Sequence, residues 1–219
     1  MKSRLLLRIY ISLHLQNRAF LPTPLLMAKI FPQKPIFSPF MTFKRETFTV
    51  WMKSLVCHTN GCTVFDSNGD IIYRVENYDT KCNDEVYLMD LRGRVLVTIR
   101  RKRLLLVFGR WYGYRWNPAN IDKEKPWFEI KKYCRICVGA AACQVTVGLD
   151  KYWVVKLRHK AAFRIVDLDG DIVAEVKQKQ SPAGTALGDD VLTLIVEPHI
   201  DHSLIMAILT VYGLINYKM

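Results

Sequence analysis

Four consecutive cations, Arg100-Arg101-Lys102-Arg103, are the grouping in this chain best suited to chemistry, with Arg92, Arg94, Arg110 and Arg115 close by. Guanidinium and ammonium groups hold phosphate oxygens through charge-assisted hydrogen bonds. Near an anionic leaflet each contributes about 1 kcal/mol. Four such charges suffice for reversible docking and fall short of stable anchoring. Two geometries are open. In a strand, alternate residues face opposite sides, so Arg100 and Lys102 share one face and Arg101 and Arg103 the other. In a loop all four reach solvent. A solubilising turn is the plain alternative, and nucleic acid is the less favoured ligand. Trp111, Tyr112, Tyr114 and Trp116 lie beside the run and could stack on bases or sit at a membrane interface, although such residues more often pack the walls of a sheet.

The remaining reactive residues form no constellation for catalysis. Cys57, Cys62, Cys82, Cys134, Cys137 and Cys143 include one Cys-x-x-Cys pair, Cys134 and Cys137. A zinc site needs a second close pair, so reduced, buried thiols are expected. His199 and His202 flank Asp201, which with Ser203 is a candidate helix cap, and the histidines read as incidental. His58 and His159 lie in strand-like stretches without a partnered nucleophile. Asp167, Asp169 and Asp171 alternate around a turn, but a calcium loop of the EF-hand kind needs flanking helices and a later Glu. The G-x-S-x-G, H-E-x-x-H and G-x-x-x-x-G-K patterns do not occur. The expectation is a non-enzyme without metal or cofactor.

Charge is unevenly spread along the 219 residues. The net charge of +12 divides into +8 for residues 1–45, which contain no acid, −5 for 46–90, +10 for 91–135 and −1 for 136–219. The part from Glu46 onward therefore carries only +4, concentrated in its central segment. That favours one cationic zone over a surface built to coat nucleic acid.

These residues need elements to position them. Residues 1–45 are read as a basic, proline-rich extension, and 46–219 as the folded domain. The extension opens on MKSRLLLRIYISLHL and then places five prolines between Pro22 and Pro39, a density that blocks helix and ladder alike. A transit peptide, a membrane-surface helix and a poorly ordered tail all fit it. From Phe48 the pattern becomes period two with turn punctuation. Asn60-Gly61 reads as a turn pair. Three units repeat the order apolar run, Asp, two residues, Gly, charged residue, apolar run: Thr63–Val75, Val86–Ile99 and Phe163–Val176. Gly accepts the positive φ of a tight hairpin and Asp binds the turn backbone. Further strands are expected at Leu104–Phe108, Tyr112–Trp116, Trp127–Lys131, Cys143–Val147, Tyr152–Leu157 and Leu192–Val196.

Last comes an uncharged run, Ser203–Ile215, which as a helix is apolar on every side and must be surrounded. It has thirteen residues, where a bilayer core needs roughly 20. Burying its nine large apolar side chains contributes at most on the order of 15–25 kcal/mol. A sheet of about twelve strands closes into a barrel with a bore too wide for its own side chains to fill. The fold class expected is therefore mainly β, a closed antiparallel barrel of about twelve strands enclosing one hydrophobic C-terminal α-helix.

Three stretches carry a resemblance. They are FTVWMKSLVCHTNGCTVFDSNGDIIYRVENY, EVYLMDLRGRVLVTIRRKRLLLVFGRWYGYRW, and DKYWVVKLRHKAAFRIVDLDGDIVAEVKQKQ with GDDVLTLIVEPHIDHSLIMAILTVYGLI. Together they resemble the plant LURP-one-related family and cover nearly all of the body. The resemblance implies the tubby C-terminal-like fold and kinship with tubby-like proteins, which bind phosphoinositides, and with phospholipid scramblases. It also implies a link to plant defence. No catalytic motif is implied. The expected protein is a monomeric binding or tethering module without a transmembrane span. It meets anionic membrane phospholipid or a protein partner, with DNA-binding regulation and unrecognised catalysis as alternatives. Its expected place is the cytoplasm, peripheral at the plasma membrane, or the nucleus or an organelle if the extension directs it there.

Overall fold

The computed structural model describes residues 38–53, 60–77, 84–104, 107–115, 125–132, 141–157 and 162–216. Period-two alternation of apolar and polar side chains drives most of that chain into strands. The strands are β1 (Glu46–Trp51), β2 (Asn60–Phe65), β3 (Ile71–Asn77), β4 (Glu85–Asp90), β5 (Val95–Leu104), β6 (Val107–Arg115), β7 (Phe128–Lys132), β8 (Ala141–Val147), β9 (Asp150–Lys156), β10 (Phe163–Val166), β11 (Ile172–Gln178) and β12 (Val191–Val196). Each pairs antiparallel with its neighbours in sequence, and β12 pairs with β1 to close the sheet. Among the described residues this makes a twelve-stranded barrel, and one helix follows it, α1 (His202–Ile215).

Alternation puts one side chain in two inside. Phe48 and Val50 of β1, Val97 and Ile99 of β5, and Phe128 and Ile130 of β7 are buried, and the positions between them are more open. The interior of the sheet and the helix share one core. Leu204, Ile205, Met206, Ile208, Leu209 and Val211 are all buried in it. The bore is thus filled by a helix apolar all round, as its composition requires.

The two ends of the barrel differ. The β1 strand begins, and β12 ends, at what we term the upper rim, where α1 also starts. Three tight turns there share one frame: Asp66-Ser67-Asn68-Gly69-Asp70, Asp90-Leu91-Arg92-Gly93-Arg94 and Asp167-Leu168-Asp169-Gly170-Asp171. In each the Asp carboxylate accepts the N–H four residues on, at 2.9 Å, and the Gly has positive φ. The lower rim carries the β5–β6 reversal and receives the C-terminal end of α1, where Tyr212 lies 4.3 Å from the Phe163 ring.

Two sequence expectations are corrected. Asn60-Gly61 is not a turn. Both residues sit in β2, opposite Asn77 and Glu76, because ladder pairing outweighs local turn propensity. Leu104–Phe108 is not one strand either. Leu104 ends β5 and Val107 begins β6, the two standing opposite each other. An unbroken apolar run with no Gly, Pro or Asn gives no warning of that reversal.

Candidate functional site

The cationic run lies in β5, which settles the choice between strand and loop. Val97 and Ile99 point into the barrel, and Arg101 continues that face to the lower rim, where its side chain is exposed. Its guanidinium carbon sits 5.8 Å from the centroid of the Trp111 ring, a cation–π contact with a buried inward residue of β6. Gly109, two residues before Trp111 on the same face, makes the room. A Cβ there would lie 2.9 Å from Arg101 Nε. Arg100 and Lys102 occupy the outer wall. Arg103 also belongs to β5, and its side chain lies outside the described residues, as do Trp116, His58, His159, Cys57, Cys82, Cys134, Cys137 and residues 1–37.

The outer-wall cations are not equivalent. Arg100 donates from Nε to Glu85 Oε2 at 2.9 Å and from Nη2 to Glu85 Oε1 at 3.4 Å, and lies over Tyr114 at 5.5 Å. Tyr87 donates to the same carboxylate at 2.6 Å. Partial burial raises the Glu85 pKa, but the hydrogen bonds from Tyr87 and Arg100 outweigh it and hold the group below the ordinary carboxylate range. Arg110 pairs with Glu129 at 2.9 Å, and Lys131 reaches that residue at 3.6 Å. Hydrogen bonding with Tyr112 and the charge of Glu129 raise the Arg110 pKa. Lys102 stands opposite Arg110 in the ladder. Among the described residues neither Lys102 nor Arg101 has a carboxylate within ion-pair distance. The three described side chains of the run therefore divide into one neutralised cation, Arg100, and two, Arg101 and Lys102, that are exposed and have no carboxylate partner among the described residues.

Sequence reasoning set His202 aside, and the structure gives it partners at the upper rim. Its Nδ1 lies 2.6 Å from the Tyr73 hydroxyl. Burial, then the nearby Asp201 charge, push the Tyr73 pKa far up, so the phenol keeps its proton. Burial lowers the His202 pKa, against the opposing pull of Asp201 and Glu46. Asp201 caps α1 by accepting from Ser203 N at 2.9 Å and Leu204 N at 3.3 Å, and its other oxygen meets Arg115 Nη2 at 2.5 Å. Residues 38–45 lie across this end: His202 N donates to Phe40 O at 2.9 Å and His199 N to Thr42 O at 2.8 Å. Tyr73 is 129 residues from His202, so no local signal could join them.

Inside the barrel, Cys62 and Cys143 are free buried thiols, both pushed up to about 12, chiefly by burial. A thiol held there is not a nucleophile near neutral pH. The described residues contain no group of three or more metal-ligating side chains and no helix long and apolar enough to cross a membrane.

The sequence model of the family described as LURP-one-related matches residues 46–213. The chain belongs to the LURP-one-related family. Among its relatives, Protein LURP-one-related 4 of Arabidopsis thaliana is 51% identical over 87% of each chain. Protein LURP-one-related 11 of the same plant is 44% identical over 82% of this chain and 81% of its own. The X-ray structure of another Arabidopsis thaliana protein superposes with a TM-score of 0.57 at 17% identity, covering 81% of this chain and 94% of that one. At that identity the likeness concerns the fold alone. The match to the LURP-one-related model begins at β1 and ends within α1, so it takes in the barrel, β5 with its cations, and most of the enclosed helix.

Proposed function

We propose that this LURP-one-related protein is a non-enzymatic tethering module that docks on anionic phospholipid through the lower rim and outer wall around β5 and β6. The observation that carries the reading is the pair Arg101 and Lys102, exposed, consecutive in β5, and among the described residues without a carboxylate within ion-pair distance. Phosphate oxygens are the natural partners of such groups, and Arg101 is pre-positioned by Trp111 and Gly109. Tyr112 and Tyr114 on the same wall have the amphipathic character that suits an interface. With α1 consumed as the barrel's core, partners are left the outside of the molecule. The kinship with tubby-like proteins and scramblases that the family resemblance implies supports lipid as the ligand, and the association of some family members with plant defence supports a signalling role.

Co-sedimentation with phosphatidylcholine vesicles, with and without a phosphoinositide, tests it. Binding should require the phosphoinositide and weaken as salt rises, because exposed charges are screened. Equal binding to neutral vesicles contradicts the charge mechanism. Tighter, steeply salt-dependent binding to duplex DNA with none to lipid replaces it with a nucleic-acid reading.

A further inference from the structure

The upper rim presents a second surface, opposite in character to β5. Leu149, at the tip of the β8–β9 turn, is 97% exposed, Leu168 of the β10–β11 turn 61%, and Ile172 just after it 41%. The β9 and β10 strands are paired, so the two turns stand about two inter-strand steps apart, roughly 10 Å. The turn frame accepts either residue at this position, since the Asp90 turn also carries an exposed leucine, Leu91. The Asp66 turn has the same carboxylate-to-N–H bond and the same glycine conformation, and it carries Ser67 where the Asp167 turn carries Leu168. Leu168 is thus an apolar side chain held in water at a position where serine fits.

Carboxylates surround these tips. Asp167 is occupied with its own turn, accepting from Asp169 N at 3.1 Å and Asp171 N at 2.9 Å. The side chains of Asp150, Asp169 and Asp171 have no partner among the described residues, and of the basic residues only Lys151 lies in these turns. We propose that Leu149, Leu168 and Ile172 form a docking surface for a protein segment whose apolar side chains are bracketed by Lys or Arg. Complementary charge selects that partner and disfavours an anionic leaflet, which these carboxylates would repel. The Asp167 turn, fixed by its own hydrogen bonds, is pre-organised, so little is lost in ordering it on binding. This surface lies at the end of the barrel away from Arg101 and Lys102, and the inference does not rest on lipid binding there.

The test is fluorescence anisotropy of the full chain with two labelled synthetic peptides of equal length and spacing, one of leucine and lysine, one of leucine and glutamate. The leucine–lysine peptide should bind saturably and more weakly as salt rises, and the glutamate peptide should not bind. Leu149→Ser/Leu168→Ser should weaken binding about tenfold or more, with thermal stability unchanged because both side chains are exposed. Asp169→Asn/Asp171→Asn should weaken it as well, without touching the leucines. Binding of both peptides, of neither, or binding that the leucine variant leaves intact overturns the proposal. So does uptake by phosphatidylcholine vesicles that depends on Leu168.

Discussion

Gly113 on β6 faces the interior, and the Phe128 ring occupies the space its side chain would take: a Cβ there would fall 2.1 Å from Phe128 Cε1. Ring and ladder cannot both hold, so Gly113→Ala should cost about 1–3 kcal/mol, read as a lower urea midpoint with an altered near-ultraviolet spectrum. Gly109→Ala meets only the movable end of Arg101 and should leave stability nearly unchanged. His202 gives a pH dependence with a definite sign. Its folded pKa lies below the ordinary 6.5, so its contribution to stability is complete above 6.5 and is lost as pH falls from there toward the folded value. Urea midpoints should therefore decline as pH falls from 6.5 through the His202 titration window in the native chain, and this decline should be absent in His202→Gln. Below that window Glu85, Asp90 and Glu175, whose folded pKa values are lowered, add their own losses. Little of this was legible in sequence. Arg100 finds Glu85 fifteen residues away and Arg110 finds Glu129 nineteen away, through strand pairing that no local pattern announces.

Elements were more readable, for a physical reason. Where one face is buried, the side-chain period of two must appear in the sequence, and the Asp and Gly of the three tight turns mark where it restarts. The β5–β6 join failed because both flanks and the join itself are apolar, and Asn60-Gly61 failed because its partners on β3 decided its state. The start of α1 was legible in Asp201, whose carboxylate has two tasks, the cap and Arg115. Asp201→Asn keeps an accepting oxygen for the cap and weakens the ion pair, whereas Asp201→Ala loses both. Thermal melts should rank the native chain above Asn and Asn above Ala, with the cap alone worth about 1 kcal/mol. Equal losses in the two variants would mean that the cap contributes nothing.

For the whole molecule, a sheet closed on itself leaves no free edge, and its bore is occupied by a helix buried continuously from Ser203 to Val211. Amides of Leu204 to Val211 should be among the slowest to exchange, opening only with global unfolding. Rapid exchange there would mean that the helix leaves the barrel. With the interior filled, the two proposed recognition surfaces lie on the outside: the β5 cations that have no carboxylate partner among the described residues, and the exposed leucines with carboxylates on the opposite rim. That division was not legible from net charge, which counts paired and free groups alike. The most direct measurement compares phosphoinositide-vesicle affinity for Arg101→Ala/Lys102→Ala with that for Arg100→Ala/Arg110→Ala, two variants that remove the same formal charge. Losing the free pair should weaken binding by about 2 kcal/mol, roughly thirtyfold, and losing the paired cations should weaken it far less. Equal losses in the two variants would contradict the account.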